Sequence, residues 1–234
     1  MNAERDYREL KEWLEKTEGE TLEEMSLFFK DRLDGYEEHM AYWQPYYRWM
    51  SELLPASVEN LLDIGCGTGL ELDEIFQKNP RIRVTGVDLS ADMLGKLQQK
   101  HRDKSLTLVC TDYFLYDMGI GLFDAAVSFE TLHHFDAGKK RALFEKIYHS
   151  LKPGGVYLEC DYIASSQALE ELTFAECRRR RIRDNIPDDV FVHFDTPLTL
   201  EHEMQAMKDA GFSRVELVGF RSEDHHTAMI QAVK

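Results

Sequence analysis

The residues best suited to bind a cofactor are three closely spaced glycines that follow a short apolar segment. Residues 61–64 lead into Gly65, Gly67 and Gly69, and a helical pattern begins directly after them. Glycine is needed where the backbone turns sharply and where a ligand must lie against it without an intervening Cβ atom. On its own this turn is a weak signal, because many strand–helix turns contain a glycine for packing.

An acidic residue at the end of the next apolar segment strengthens the prediction. Asp88 lies 19 residues beyond Gly69, which is about the offset at which a carboxylate accepts the ribose hydroxyls of an adenosine cofactor. A carboxylate at this point also rejects a 2′-phosphate. Asp112 and Tyr113 follow the third apolar segment, where they can contact an adenine base, although Asp112 is almost equally well explained as a turn cap.

Candidate catalytic residues follow the fourth and fifth apolar segments. His133, His134, Asp161 and Tyr162 can act as general bases at the ends of predicted strands. His133 and Asp161 also have structural interpretations: a histidine packed under its loop that donates to a backbone carbonyl, and a carboxylate that caps the region of Ser165.

A metal site is a further alternative for the polar residues. His193 and Asp195 could combine with His39, Glu130 or Asp161. These positions lack the short i, i+3 or i, i+4 ligand spacing that makes a zinc assignment strong. The sequence therefore predicts no metal.

The elements that must position these residues alternate between strands and helices. Such alternation predicts an α/β fold with a mostly parallel sheet and helices on both faces. The C-terminal segments 212–220 and 227–233 alternate like an antiparallel hairpin at the sheet edge. The predicted strands are 60–64, 82–88, 106–111, 123–129 and 156–160, and the predicted helices are 70–78, 90–101, 139–151 and 199–210.

Two segments fall outside this alternation, and we predict that both lie near the site. Residues 1–58 (the cap) are helical in pattern, with a predicted capping box at Thr21 and Glu24 and an apolar face at three- and four-residue steps. Residues 165–197 (the insertion) interrupt the second predicted domain, 59–234. The aromatic cluster of the cap has two interpretations, core packing or a substrate lid, and comprises Tyr42, Trp43, Tyr46, Tyr47 and Trp49.

The insertion contains the one dense basic run of the chain, at residues 178–181 and 183. On a helix these arginines spread over more than one face, which is typical of a solvated surface paired with acids. Binding of an anionic substrate, or contact across a dimer, is the alternative.

Composition restricts the partners and the compartment. The chain has 234 residues and a net charge of −15, which disfavours a nucleic-acid substrate. Four widely spaced cysteines, a charged N-terminal segment and the lack of a long apolar run favour a cytoplasmic protein that neither crosses a membrane nor depends on disulfides. We expect a small-molecule substrate and either a monomer or a homodimer.

The motifs described above, in their order along the chain, resemble those of class I S-adenosylmethionine-dependent methyltransferases. The resemblance covers residues 60–162 well, and residues 34–40 and 131–135 are similar to elements of the small-molecule type-11 and type-25 domain group. It implies a Rossmann-like sheet of seven strands in the order 3-2-1-4-5-7-6. The matching segments are residues 61–70, 87–88, the loop at 112, the Phe-Asp strand at 123 and the turn at 151–155.

The resemblance implies S-adenosylmethionine as the cofactor and in-line methyl transfer to a small molecule as the activity. It also implies which side chains and backbone segments contact the cofactor. These are Tyr36, Asp63, Gly65, Gly67, Gly69, Asp88, Leu89, Met93, Asp112, Tyr113 and Glu130.

Three rival functions share parts of this pattern. A nicotinamide-dependent oxidoreductase has a similar glycine turn, but its third glycine comes one residue later than Gly69. A regulatory protein could bind S-adenosylmethionine without transferring methyl, and a related enzyme could modify the sulfonium compound itself. Bound demethylated product would indicate turnover, whereas bound intact cofactor would favour the regulatory protein.

Overall fold

A seven-stranded sheet forms the centre of the protein. The computed structural model describes residues 2–221 and 226–234. The strands are β1 (Asn60–Ile64), β2 (Arg83–Asp88), β3 (Ser105–Cys110), β4 (Phe123–Phe129), β5 (Leu151–Tyr162), β6 (Arg214–Gly219) and β7 (Thr227–Val233).

The strand order is β3-β2-β1-β4-β5-β7-β6, which confirms the predicted topology. Strands β1 to β5 pair in parallel, whereas β7 pairs antiparallel with both β5 and β6. The fifth strand is longer than predicted, because pairing with β4 already begins at Leu151 and resumes after an irregularity at the glycine turn. Since β1 and β4 are adjacent and parallel, their following loops meet at one edge of the sheet.

Helices cover both faces of the sheet, and the alternation of side chains along β1 explains why. Leu61 contributes to one hydrophobic core and Leu62 to the other, because successive side chains of a strand point to opposite faces. The first core includes α4 to α6, and the second includes α7 and α9. The helices are α1 (Ala3–Lys16), α2 (Met25–Arg32), α3 (Tyr36–His39), α4 (Gln44–Leu53), α5 (Leu70–Lys78), α6 (Ala91–Lys100), α7 (Ala137–Ser150), α8 (Gln167–Asp184) and α9 (Leu200–Asp209), with a 3-10 turn at Met40–Trp43.

The cap differs from its prediction at the start of α2. The helix begins at Met25, with Glu24 in an extended conformation at the N-cap position, so the predicted capping box is wrong. The backbone here pairs with the insertion instead: the amide of Met25 donates to the carbonyl of Phe191, and that of His193 donates to Glu23, both at 2.9 Å. This pairing keeps residues 23–25 extended and joins the cap to the insertion.

The arginine run of α8 forms further links between the cap and the insertion. Arg180 is buried, and its guanidinium donates to Glu176 and to the Thr17 hydroxyl, both at 2.8 Å. Arg183 donates to backbone carbonyls of the cap, and Arg181 donates to carbonyls at 187 and 190. These contacts give the three side chains a structural role within the chain.

The helices carry no candidate membrane span. Within residues 2–221 and 226–234, none has the length and apolar character needed to cross a bilayer.

We expect Arg180→Ala to destabilise the protein far more than Arg179→Ala. The Arg180 side chain is 3% exposed and its charged hydrogen bonds lie in the interior, so its loss should cost about 2–4 kcal/mol. Arg179 pairs with the same Glu176 but is 45% exposed, so its removal should cost at most about 1 kcal/mol. Urea unfolding monitored by circular dichroism measures both; equal losses would show that Arg180 does not support the cap.

Candidate active site

The glycine turn after β1 has a backbone conformation that is unfavourable for residues with a Cβ atom. Gly65, Gly67 and Gly69 have φ angles of 69°, 48° and 70°, in the left-handed region that favours glycine. A Cβ atom at Gly65 would collide with the Thr131 side chain. A Cβ at Gly67 would meet only the Tyr36 hydroxyl at 3.9 Å and the Gly65 carbonyl oxygen at 4.0 Å, and Gly67 lines a cavity, so its backbone is bare towards that cavity.

The Asp88 carboxylate connects this turn to the end of β2. Its Oδ2 accepts a hydrogen bond from the Gly67 amide at 2.9 Å, and its Oδ1 accepts one from the Ser90 amide at 2.8 Å. Burial raises the pKa of Asp88, and the two amide donors oppose that shift. Each oxygen has a further lone pair, which can accept a ligand hydroxyl.

A first cavity, of about 720 Å³ including open solvent, lies against the turn. It gathers residues that follow four different strands together with residues of the cap. Its lining includes nine of the predicted cofactor-binding residues, namely Tyr36, Gly65, Gly67, Asp88, Leu89, Met93, Asp112, Tyr113 and Glu130.

Asp63 and Gly69 do not belong to this lining, which corrects their predicted direct contact with the cofactor. Asp63 is 1% exposed; burial and the neighbouring Glu71 carboxylate raise its pKa. Gly69 is the N-cap residue of α5, and a Cβ there would collide with Leu97. Both residues lie on the buried side of the turn, which faces the helices and not the first cavity.

Asp112, in the loop after β3, caps a turn and also lines the first cavity. Its Oδ1 accepts from the Phe114 amide at 2.8 Å, so it caps the turn, and it also lines the cavity. The Tyr113 hydroxyl donates to the Thr131 carbonyl at 3.2 Å. This hydrogen bond fixes one loop against the other beside the cavity.

A second cavity, of about 1350 Å³ including open solvent, adjoins the first. The two share Phe29, Tyr36, Glu130 and His134 in their linings. The second combines aromatic side chains with polar and charged groups from the cap, the loop after β4 and the insertion. Its further lining includes Phe28, Trp43, His133, Tyr162, His193 and Asp195.

His133 is held between two carboxylates at this second cavity. Its Nδ1 lies 2.5 Å from Asp161 Oδ1, and its Nε2 lies 3.5 Å from Asp195 Oδ1. Burial by itself would lower the pKa of His133, but Asp161 and Asp195 more than offset this and raise it well above the usual histidine value. His133 therefore favours the imidazolium form, which donates hydrogen bonds and is a poor general base.

The predicted catalytic residues thus occupy different places. His133 and Tyr162 line the second cavity, whereas Asp161 is 3% exposed and lies beneath His133. Its oxygens accept from His133 and from the amides of Leu132 and Tyr162. Asp161 therefore orients His133, and this contact replaces both the predicted backbone partner of His133 and the predicted capping role of Asp161.

Glu130 has the backbone conformation most unusual for its residue type. Its φ angle is 48°, which costs free energy in a residue with a side chain and is often found at functional sites. Its Oε1 accepts from the Thr227 hydroxyl at 3.3 Å, and burial raises its pKa. The turn directs this side chain to the boundary between the two cavities.

Several lining residues were missed by the sequence analysis. Met25 and Phe29 of the predicted apolar face line the first cavity, and the residues of α2 are all partly buried or exposed. The three- and four-residue spacing predicted an apolar helix face, but it could not show that this face lines a cavity and does not pack into a core. Phe191 lines the same cavity from the irregular part of the insertion, where no periodicity exists to detect it.

Comparison with known proteins agrees with this arrangement of turn, carboxylate and sheet. Residues 62–157 match the family described as a methyltransferase domain. This match assigns residues 62–157 to a methyltransferase domain. This confirms the family identified from the five segments of the sequence.

The relatives within this family have different activities in their names. Carboxy-S-adenosyl-L-methionine synthase of Nautilia profundicola is 24% identical over 175 residues, which cover 68% of this chain and 72% of that protein. Malonyl-acyl-carrier-protein O-methyltransferase of Priestia megaterium is 31% identical over 99 residues, or 42% of this chain and 35% of that protein. Because these relatives are named for different reactions, sequence similarity alone does not identify the reaction of this protein.

A solved structure shows the same fold. Human N-acetylserotonin methyltransferase, in complex with S-adenosylmethionine, has a TM-score of 0.63 and 19% identity, and the match covers 88% of this chain. This chain spans just over half of that methyltransferase, 56% of its length.

We expect Gly65→Ala to destabilise the protein by about 1–3 kcal/mol, since alanine at this φ angle is strained and its Cβ collides with Thr131. Gly35→Ala is the matched control. Gly35 has a φ angle of −101° and open space around its Cβ position, so its effect should stay within about 1 kcal/mol of zero. The free energy of unfolding in urea distinguishes them, and similar values for the two variants would contradict the strain at Gly65.

Proposed function

We propose that this protein transfers a methyl group from S-adenosylmethionine to a small-molecule acceptor bound in the second cavity. One observation carries the proposal: the cavity beside the glycine turn and Asp88 opens, past Tyr36, Glu130 and His134, into a second cavity with an aromatic lining. Two adjoining compartments with different linings suit a donor and an acceptor that must meet.

The first cavity fits the donor. The bare backbone at Gly67 accepts close approach of a ligand, and the free lone pairs of Asp88 can bind ribose hydroxyls. Leu89, Met93 and Tyr113 provide apolar and aromatic surface for a base. Asp63 and Gly69 contribute by holding the turn and not by contact.

The second cavity favours a planar acceptor. Phe28 and His193 stack with ring centroids 3.5 Å apart, and Trp43 lies 5.8 Å from Tyr162. Aromatic surfaces bind flat apolar molecules with little loss of side-chain freedom. A small aromatic molecule with an exchangeable hydroxyl or amino group is therefore the acceptor class that we propose.

Alignment of the two molecules is the main contribution of the protein to the reaction. S-adenosylmethionine supplies an electrophilic methyl group, whose departure from sulfur requires no proton. The residues at the boundary, Tyr36, Glu130 and His134, limit the positions that an acceptor can take. Residues of the cap and the insertion line both cavities, and positioning of two reactants accounts for several kcal/mol of barrier reduction.

Of the predicted catalytic residues His133, Asp161 and Tyr162, we propose that two contact the acceptor and one acts indirectly. His133 and Tyr162 can contact an acceptor in the second cavity. Asp161 is a positioning residue, since it reaches the cavity only through His133.

Modification of the sulfonium compound is the second candidate function. It is favoured by the similarity to proteins named carboxy-S-adenosyl-L-methionine synthase, which extends over 68% and 78% of this chain in two cases. Such a reaction would use the same donor cavity, so the products must separate the two functions.

We expect Asp88→Ala to raise the Kd for S-adenosylhomocysteine by roughly 10- to 100-fold, which corresponds to the loss of hydrogen bonds to a charged group. Asp92→Ala removes an equal charge from the exposed first turn of α6 and should leave the Kd unchanged. Calorimetric titration of both folded variants measures the difference. If Asp88→Ala bound as tightly as Asp92→Ala, the donor site would be misplaced.

The reaction itself can be identified by its products. We expect incubation with S-adenosylmethionine labelled with ¹³C on the methyl group, and with a panel of small phenols and aromatic amines, to give a labelled acceptor and an equal amount of S-adenosylhomocysteine. Mass spectrometry detects both. A heavier sulfonium compound that keeps its methyl group, without S-adenosylhomocysteine, would replace methyl transfer by the second candidate function.

A further inference from the structure

Two consecutive histidines and one aspartate from a distant part of the chain converge in the second cavity. His133 Nε2 and His134 Nδ1 each lie 3.5 Å from the same oxygen, Asp195 Oδ1. One potential ligand atom from each of the three residues lies within 4.8 Å of the others. The histidine side chains are 5% and 4% exposed, and that of Asp195 is 50% exposed.

These separations match the edges of a metal coordination sphere. Nitrogen and oxygen ligands lie about 2.0–2.2 Å from Zn²⁺, and for a tetrahedron this places neighbouring ligand atoms roughly 3.3–3.6 Å apart. The two distances of 3.5 Å to Asp195 Oδ1 fall at that value. Two imidazoles and one carboxylate are also a common ligand set for divalent first-row metals.

The partner of His133 has the arrangement expected around a metal-binding histidine. His133 Nδ1 is 2.5 Å from Asp161 Oδ1, and Asp161 is itself fixed by the backbone amides of Leu132 and Tyr162. Donation of the Nδ1 proton to a carboxylate is the arrangement that metal-binding histidines almost always have. A metal ion at Nε2 displaces the second proton of the imidazolium, so binding of the metal releases a proton from His133. Here Nε2 is the atom that faces Asp195.

His134 has an alternative partner that a metal must replace. Its Nδ1 lies 3.2 Å from the carbonyl oxygen of Phe194, so a hydrogen bond to that carbonyl and a bond from Nδ1 to a metal exclude each other. The carboxylates of Asp161 and Asp195 lie on either side of the His133 ring and favour a cation there. A chain with a net charge of −15 also attracts cations to such a place.

We propose that His133, His134 and Asp195 bind one divalent first-row metal ion, with Zn²⁺ as the reference case, and that a coordination position remains open towards the second cavity. His193 lines the same cavity, and its ring centroid is 5.2 Å from that of His134. An oxygen atom of the ligand in the second cavity is the group that would complete the coordination. The part about an acceptor rests on the proposed function; metal binding does not.

Titration of the chelator-treated protein with Co²⁺ tests the site directly. We expect one Co²⁺ per chain, visible absorption bands of a low-symmetry site, displacement by Zn²⁺ and no displacement by equimolar Mg²⁺, which prefers oxygen ligands. Asp195→Asn and His134→Gln should each weaken Co²⁺ binding at least about 10-fold. Asp161→Asn should weaken it by roughly 10- to 100-fold through its effect on His133.

His202→Gln is the matched control. His202 Nδ1 lies 2.8 Å from Glu170, so this variant removes a histidine that is paired with a carboxylate elsewhere in the chain, and its Co²⁺ affinity should equal that of the unmodified protein. Circular dichroism shows which variants are folded. Two independent ligand variants are used so that one that fails to fold does not decide the result.

The proposal would be overturned if the unmodified protein gave no visible Co²⁺ bands, or if a folded Asp195→Asn or His134→Gln variant bound Co²⁺ as tightly as His202→Gln. Titration of S-adenosylhomocysteine into the same samples keeps this result separate from the proposed function. Loss of metal binding with intact binding of S-adenosylhomocysteine rejects the metal site alone. Metal binding without uptake of S-adenosylhomocysteine supports the metal site and rejects the donor site.

Discussion

The Asp88 carboxylate joins the two strand ends on which the donor cavity depends. It accepts hydrogen bonds from the amides of Gly67 and Ser90, so the turn after β1 and the start of α6 are held at a fixed separation. Parallel strands bring these two loops to one edge of the sheet, and glycine lets the first of them bend back. Without these two hydrogen bonds, the position of the Gly67 backbone relative to the end of β2 would not be fixed.

The cap and the insertion form one layer above this edge. Residues 23–25 pair with residues 191–193, and the buried Arg180 joins α8 to Thr17. The two segments are far apart in sequence, yet each supplies residues to both cavities. Their mutual hydrogen bonds pair backbone groups of the two segments. The arginines that resemble an anion-binding run are largely used for this purpose.

The loop after β4 determines how the two cavities differ. Glu130 adopts a left-handed backbone conformation, and His133 follows in contact with Asp161 at the end of β5. Neighbouring parallel strands therefore provide both a histidine and the carboxylate that orients it. Asp195 approaches from the insertion on the other side of the ring. The charge of His133 thus depends on two carboxylates that no local sequence pattern connects.

The sequence by itself determined the alternation of strands and helices, the glycine turn and Asp88, because apolar periodicity, glycines and a fixed offset are local signals. The resemblance to a known family supplied the sheet order and the cofactor-binding candidates, nine of which line the first cavity. Only the tertiary structure decided that Asp63 and Gly69 lie behind the turn, that Asp161 acts through His133, and that Asp195 joins His133 and His134. Residues 134 and 195 meet through the packing of the insertion on the sheet edge, and such long-range contacts leave no periodicity or spacing in the chain.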